Sequence, residues 1–215
     1  MNITGKLATA LFATTLFTAS AASAAGGYGG GMNRQSSQDA SSLDATETTN
    51  LVYMREEEKL ARDVYLTMFD AWGLAVFDNI AASEQTHTDS VKDMIEKYRL
   101  ADPVVDDSVG VFVNQELATL YAQLIARGTQ SALEALHVGA YIEEVDMVDL
   151  ARASEATDNA DIRQLYENLM SGSRNHLRAY VGQIENLGVV YEAQYLSQDE
   201  VDAIVDSPIE RGRRR

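Results

Sequence analysis

Residues 47–72 read ETTNLVYMREEEKLARDVYLTMFDAW, and their pattern is the clearest structural signal in the chain. Every third or fourth residue falls on one face, in the series Leu51, Met54, Glu58, Ala61, Tyr65, Met68 and Trp72. This spacing is typical of a helix that turns one side toward a protein core, because about 3.6 residues complete a turn. It predicts a long helix over residues 47–72, ended by Gly73, with one carboxylate in an otherwise apolar stripe.

The same spacing recurs in later stretches of the chain. It predicts long helices over residues 76–98, 131–152 and 161–187, and shorter helices over residues 114–127 and 197–205. Ser197 and Glu200 have the spacing of a capping box at the start of the last helix. Both prolines, Pro103 and Pro208, lie outside the long stretches, and no part of the sequence alternates as a strand would. The predicted fold class is therefore all-α.

The connections predict how the four long helices are arranged. Only a few residues separate the first helix from the second, and the third from the fourth, so each pair should form an antiparallel hairpin. Residues 99–130 separate the second helix from the third, which is enough chain to travel the length of the molecule. Two hairpins joined by one long crossover predict a ferritin-like antiparallel four-helix bundle with short accessory helices.

Composition restricts the classes of function. The 215-residue chain is 46% hydrophobic, which suits one compact domain with flanking segments. It has 33 Asp and Glu residues against 17 Lys and Arg residues, a net charge of -16, which argues against nucleic acid or anionic membrane as a partner and favours cations. Because the chain has no cysteine, disulfides and iron–sulfur clusters are excluded, and any metal must be held by oxygen and nitrogen ligands.

The first residues have the features of an export signal. Lys6 precedes an apolar stretch over residues 7–19 that is too short to span a bilayer. Ala22-Ser23-Ala24 has the small residues of a cleavage site. Residues 1–24 are therefore predicted to be a cleaved Sec-type signal peptide of a periplasmic or secreted protein that begins at Ala25 and has no membrane partner. An uncleaved N-terminal anchor is the alternative.

The rest of the chain divides into three parts. Residues 25–46 are rich in Gly, Ser and Ala and lack apolar periodicity, which predicts a disordered linker. Residues 47–206 contain the predicted helices and form the bundle domain. Residues 207–215 contain four arginines and are predicted to be a basic C-terminal tail.

Polar residues interrupt all four apolar stripes near their middle. The interruptions are Glu58 on the first helix, Glu84 and His87 on the second, Glu143 on the third, and Ser173 and His176 on the fourth. Burying an unpaired carboxylate costs several kcal/mol, and one cation at the centre would offset this cost on every helix. Di-iron carboxylate bundles use a lone Glu from two helices and a Glu-x-x-His from each of the other two. In this chain Ser173 stands where the second such Glu would be.

Three stretches carry a resemblance to a known family. Residues 56–65 (EEEKLARDVY), 142–146 (IEEVD) and 173–177 (SRNHL) resemble the ferritin-like family known as domain of unknown function 2202, over about residues 47–205. More distantly, Glu58 with Arg62 and Tyr65, and Glu84-x-x-His87, resemble the first two helices of rubrerythrins. The resemblance implies the bundle fold and a di-iron or di-manganese centre, but it implies no particular activity.

The predicted metal ligands are Glu58, Glu84, His87, Glu143 and His176, with Glu57, Glu144, Asp146 and Ser173 as second choices. A small rotation of the first helix would exchange Glu58 for Glu57, and a rotation of the third would exchange Glu143 for Glu144. Asp146 lies one turn from Glu143 and either binds the metal or supports a ligand. Without a metal, Glu84 and His87 would be a buried hydrogen-bonded pair, and residues 56–58 would be a solvated acidic run.

The functional hypothesis is an exported metal-binding protein with a buried non-haem iron or manganese site, mono- or dinuclear. As an enzyme it would be an oxidoreductase acting on dioxygen, peroxide or ferrous ion, supplied by an outside electron donor. The alternatives are a protein that sequesters metal without turnover and a metal-free helical bundle. Because Ser173 brings no charge, one tightly held ion at Glu58, Glu84 and His87 is expected, beside a weak second position. The protein is a possible homo-oligomer, and its other partners would be metal ions.

Overall fold

The computed structural model of the chain describes residues 42–211, which contain six helices and no strand. The predicted signal peptide, most of the predicted linker and the last four residues of the tail lie outside the described residues. The helices are α1 (Ala45–Trp72), α2 (Ala75–Lys97), α3 (Gln115–Gly128), α4 (Ala132–Glu155), α5 (Ala160–Asn186) and α6 (Gln198–Val205). The predicted all-α class is confirmed for this part of the chain.

Local capping residues explain where the helices begin and end. Asp44 and Glu47 form a capping box, so α1 begins at Ala45, two residues earlier than predicted. Gly73 ends α1 with a φ of 65°, the left-handed conformation that glycine adopts without strain. The predicted capping box of Ser197 and Glu200 is present at the start of α6. α4 shows the largest difference from the prediction, since it continues to Glu155.

The helices pack as two hairpins. α1 lies along α2 and α4 lies along α5, while α1 also contacts α4 and α2 also contacts α5. The crossover, residues 98–131, contains α3, which packs on α1 and α4, and α6 packs on α5. None of the helices in residues 42–211 is both long and apolar enough to cross a membrane.

Two apolar clusters fill the core on either side of a polar layer. The first contains Val64, Tyr65, Phe77, Ala140, Leu177 and Tyr180 among its buried members. The second contains Leu51, Met54, Val91, Leu150, Ile162 and Leu169. On each of α1, α2, α4 and α5 the predicted metal ligands lie between residues of these two clusters. The polar residues that interrupt the four apolar stripes therefore lie at the same depth in the core.

The crossover covers the charged part of α1. Lys59 is fully buried, and its ammonium contacts Asp63 at 2.5 Å and donates to the carbonyls of Ser108 and Val111 at 2.9 and 3.0 Å. Glu56 accepts from the backbone N–H groups of residues 113 and 114 at 2.6 and 2.9 Å. The alternative of a solvated acidic run at residues 56–58 is wrong, because the crossover and α4 bury all three carboxylates.

Candidate metal centre

Glu84 lies between the two histidines at the centre of the polar layer. Glu84 and His87 are three residues apart on α2, so they point in the same direction, and His176 reaches the same place from α5. Glu84 Oε2 is 2.8 Å from His87 Nδ1, and Glu84 Oε1 is 2.7 Å from His176 Nδ1. Each oxygen of one carboxylate therefore faces a different imidazole.

A further carboxylate stands beside each histidine. Glu58 Oε2, from α1, is 3.3 Å from His87 Nδ1. Glu143 Oε2, from α4, is 3.4 Å from His176 Nδ1. The structure thus brings all five predicted ligands together as two matching halves that share Glu84. The centroids of the two imidazole rings are 5.3 Å apart.

The donor atoms are close without being hydrogen-bonded. The Nδ1 atoms of His87 and His176 are buried and have no hydrogen-bond partner, although Glu84 oxygens lie within 2.8 Å, and Glu58 Oε1 is also unpartnered. Two atoms that bind one metal ion at about 2.1 Å each, about 80–90° apart, are separated by about 2.7–3.0 Å. Each Glu84 oxygen and the imidazole nitrogen that faces it therefore have the spacing of two ligands of one metal ion, and Glu84, His87 and His176 form a group that could hold a metal.

Neighbouring residues fix the orientation of these ligands. The outer nitrogen of His176, Nε2, is 2.8 Å from Ser83 Oγ, which leaves Nδ1 free to face the centre. Tyr65 donates its hydroxyl to Glu143 Oε1 at 2.5 Å. A Cβ atom added to Gly172 would lie 2.4 Å from the ring of His87, so only glycine leaves room for that ring.

Ser173 is paired with another acid of the layer. Its hydroxyl donates to Asp146 Oδ2 at 2.5 Å. The second oxygen, Asp146 Oδ1, is buried and has no hydrogen-bond partner. Asp146 thus brings a fourth carboxylate to the side of the centre where Ser173 replaces a glutamate.

The structure separates the remaining second choices from the centre. Glu144 faces the segment 191–196, where it accepts from the hydroxyl of Tyr191 and from the backbone N–H groups of residues 194, 195 and 196. Burial and the neighbouring charge of Asp149 raise the pKa of Glu57 well above its usual range, and Glu57 forms no ion pair with either histidine. Glu144 therefore stabilises the fold, whereas Glu57 borders the site.

Burial and mutual repulsion disfavour ionised carboxylates in the layer. Burial raises the pKa of Glu58 to about 7, and His87 opposes this only in part. Burial likewise raises the pKa of Asp146 well above its usual range, and the charges of Glu58 and Glu143 raise it further. Without another cation, the centre has more negative charge than its two histidines can balance.

The histidines are shifted toward their charged form. Burial would lower the pKa of His176, but Glu84 and Glu143 raise it to about 10. Burial opposes protonation of His87 too, and Glu84 and Glu58 raise its pKa well above the usual range. Burial would raise the pKa of Glu84, but the two imidazoles lower it overall. In the metal-free protein, protons occupy the nitrogens that a metal ion would need.

A small cavity of about 20 Å³ reaches the centre from the side of α3. Its polar wall is formed by Glu57, Glu58, Glu84, Glu143 and Asp146. Its apolar wall includes Leu117, Leu120 and Leu124 of α3. A volume of this size holds about one water molecule, so a larger guest is excluded while α3 stays in place.

Sequence reasoning missed the residues that support the ligands. Ser83 gave no signal, because a serine beside a glutamate on a helix is ordinary. Gly172 did give a signal, since glycine inside a helix costs about 1 kcal/mol and requires a reason. Asp149 was missed because it lies off the inward stripe of α4. It adjoins the site only because it neighbours Glu57.

The described residues thus define an all-helical protein with a buried Glu/His/His group that can hold a metal ion. The chain belongs to the family described as uncharacterized protein domain DUF2202, which matches residues 47–208.

A relative and its crystal structure extend this comparison. The chain is 52% identical over 169 residues to the uncharacterized protein MJ0754 of Methanocaldococcus jannaschii, which covers 79% of this chain and 91% of that protein. It is also similar to the crystal structure of hypothetical protein MJ0754 from Methanococcus jannaschii, with a TM-score of 0.77 and 50% identity, covering 78% of this chain and 96% of the other. The comparisons support the family and the helical fold, so the activity must be argued from the site.

Proposed function

We propose that this protein binds iron or manganese in a carboxylate–histidine centre inside a ferritin-like four-helix bundle formed by α1, α2, α4 and α5. The observation that carries the proposal is the crowding of unpartnered donor atoms around Glu84. A polar network that only fixed the helix register would aim its N–H groups at its oxygens. Here the Nδ1 atoms of His87 and His176 lie within 2.8 Å of the Glu84 oxygens but are not aligned to donate hydrogen bonds to them.

The two matching halves of the site support two metal positions. Glu58, His87 and one oxygen of Glu84 would hold one ion, and Glu143, His176 and the other oxygen would hold the second. Two divalent ions that share one carboxylate are close enough to repel each other strongly, and the negative charge of the surrounding carboxylates offsets this repulsion. The sequence predicted a weak second position because only three core carboxylates were expected there. Asp146 adds a fourth next to Ser173, which supports two ions.

The ligand set and the cavity favour oxidoreduction by a small oxidant. A nitrogen and oxygen ligand set suits iron and manganese, which supply one-electron redox chemistry when bound. The protein contributes a small cavity that excludes guests much larger than water, dioxygen or peroxide. Tyr65 and Ser83 hold Glu143 and His176 in place. Sequestration of the same metal without turnover is the second function that this site supports.

We also propose that the protein is exported. The proposal rests on the apolar stretch and the Ala22-Ser23-Ala24 sequence, which lie outside the described residues. Sequencing the N-terminus of the exported protein should give Ala25. Retention of Met1 on a membrane-bound form would contradict the proposal.

A metal titration of a single variant tests the metal centre. Glu84→Gln keeps the shape of the side chain but removes the charge and one oxygen ligand shared by both halves. We expect the unmodified protein to bind about two Mn²⁺ per chain and E84Q to lose most of this binding, measured by equilibrium dialysis. Glu96→Gln is the matched control, because Glu96 is on the same helix with a side chain that is 64% exposed. Equal binding by E84Q and the unmodified protein, or none by either, would contradict the proposal.

A further inference from the structure

An acidic seam between α1 and α4 connects the centre with the protein surface. The seam consists of Asp149, Glu57 and Asp146. Asp149 is its outer end, with a side chain that is 12% exposed and a carboxylate 3.3 Å from the guanidinium of the more exposed Arg152. Glu57 lies close enough to Asp149 for the charge of Asp149 to raise its pKa, and Glu57 is itself only 7% exposed. Asp146 is the inner end, next to Ser173.

The two inner acids of the seam have unused oxygens. Glu57 Oε2 and Asp146 Oδ1 are buried and have no hydrogen-bond partner. Among the described residues, no Lys, Arg or His forms an ion pair with either side chain. Ionised carboxylates are costly to bury in this way, and a passing cation would offset that cost. Neither Glu57 nor Asp149 is needed to build the two matching halves of the centre.

The cavity joins the seam to the metal ligands. Glu57 and Asp146 line the same cavity of about 20 Å³ as Glu58, Glu84 and Glu143. An ion at Glu57 therefore faces the ligands across a space of one water molecule, with no side chain to be displaced. The other wall of this cavity is apolar, with Leu117, Leu120 and Leu124, and offers a hydrated cation no replacement for its water.

We infer that the seam is the entry route of the divalent metal ion, which passes from Asp149 to Glu57 and Asp146 and then to the centre. The inference rests on the proposed metal-binding function. Each step exchanges water for a carboxylate oxygen, so the ion is never left uncompensated in the low-dielectric interior.

The rate of metal uptake tests the route separately from the final amount bound. Stopped-flow absorbance with Co²⁺ reports ions that have gained nitrogen and oxygen ligands of the protein. We expect Asp149→Asn and Glu57→Gln each to slow uptake on the order of tenfold, because each change removes a negative charge that compensates the passing ion. The final Co²⁺ per chain should equal that of the unmodified protein. Asp93→Asn and Glu96→Gln, which remove exposed charges from α2, should leave the rate unchanged.

The other possible outcomes distinguish a failure of the entry route from a failure of the proposed metal-binding function. If the unmodified protein takes up Co²⁺ and D149N and E57Q do so at the same rate, the route is wrong while the metal centre stands. If E57Q lowers the final Co²⁺ per chain, Glu57 is a ligand and the route is again wrong. If the unmodified protein binds no Co²⁺ at all, the proposed function itself fails.

Discussion

At the scale of single residues, Gly172 and Asp146 show how the chain supports its ligands. Gly172 is small because the ring of His87 occupies the space where a side chain would begin. Asp146 accepts from Ser173 and keeps one oxygen free toward the centre. Both residues affect the positions of the proposed ligands. Substituting either one can therefore be tested by measuring metal binding and stability separately.

Gly172→Ala should weaken metal binding without unfolding the protein. The new Cβ would lie 2.4 Å from the His87 ring, so the ring must leave its present position beside Glu84 or tilt within it. We expect about a tenfold loss of Mn²⁺ affinity, as is typical when a support of a ligand is disturbed. Gly182→Ala is the matched control on α5, because nothing lies within 4 Å of its added Cβ. G182A should keep its affinity and be about as stable as the unmodified protein or up to about 1 kcal/mol more stable. Unchanged affinity in G172A would contradict the placement of His87.

Asp146→Asn should weaken one of the two metal positions. The change removes a negative charge next to Ser173 while preserving the size of the side chain, so the repulsion between two ions is less well offset. We expect the second Mn²⁺ to bind on the order of 10–100-fold more weakly, seen as a drop toward one ion per chain in a titration. Asp149→Asn, one turn further along α4, should retain two ions. Full binding of two ions by D146N would show that Asp146 is not required.

At the scale of helices, the sequence predicts most of the architecture. Helix ends were predicted to within about three residues, because glycines, prolines and capping boxes mark them. The burial of the charged part of α1 could not be predicted, since it depends on the crossover, whose contacts with Lys59, Asp63 and Glu56 are distant in sequence. The periodicity placed Glu58 and Glu143 inward, but their neighbours Glu57 and Glu144 are also buried by segments that the helical pattern does not include.

Glu144→Gln should destabilise the fold and leave metal binding intact. The Glu144 carboxylate accepts from three backbone N–H groups and from Tyr191, and a glutamine amide has only one oxygen to accept with. We expect the free energy of unfolding in urea to fall by about 2–3 kcal/mol, since bonds to a charged acceptor are strong. Glu155→Gln, an exposed position at the end of the same helix, should change it little. Loss of Mn²⁺ in E144Q with unchanged stability would reverse the roles of Glu143 and Glu144.

At the scale of the whole molecule, an acidic helical protein concentrates carboxylates in its core. This property predicts how stability depends on pH. Folding raises the pKa of Glu58 from 4.5 to about 7 through burial, and raises that of His176 from 6.5 to about 10 mainly through Glu84. A group whose pKa is raised by folding favours the folded state most when protonated, so its contribution is lost as pH rises through these ranges.

The metal-free protein should therefore be less stable at pH 8 than at pH 5. We expect the Tm of protein treated with a chelator to fall between these values, and Mn²⁺ to restore it most strongly at pH 8, where protons compete least for the ligands. Calorimetry at both pH values, with chelator and with Mn²⁺, measures the effect. A chelated protein as stable at pH 8 as at pH 5 would contradict the charge balance described for the centre.

The most direct test is a crystal structure of protein reconstituted with Mn²⁺ or Fe²⁺, with data collected at the absorption edge of the metal. We expect anomalous density between Glu84 and the Nδ1 atoms of His87 and His176, as two peaks that share Glu84 and are flanked by Glu58 and Glu143. A structure with anomalous density only at the surface, and with both histidines donating directly to Glu84, would contradict it.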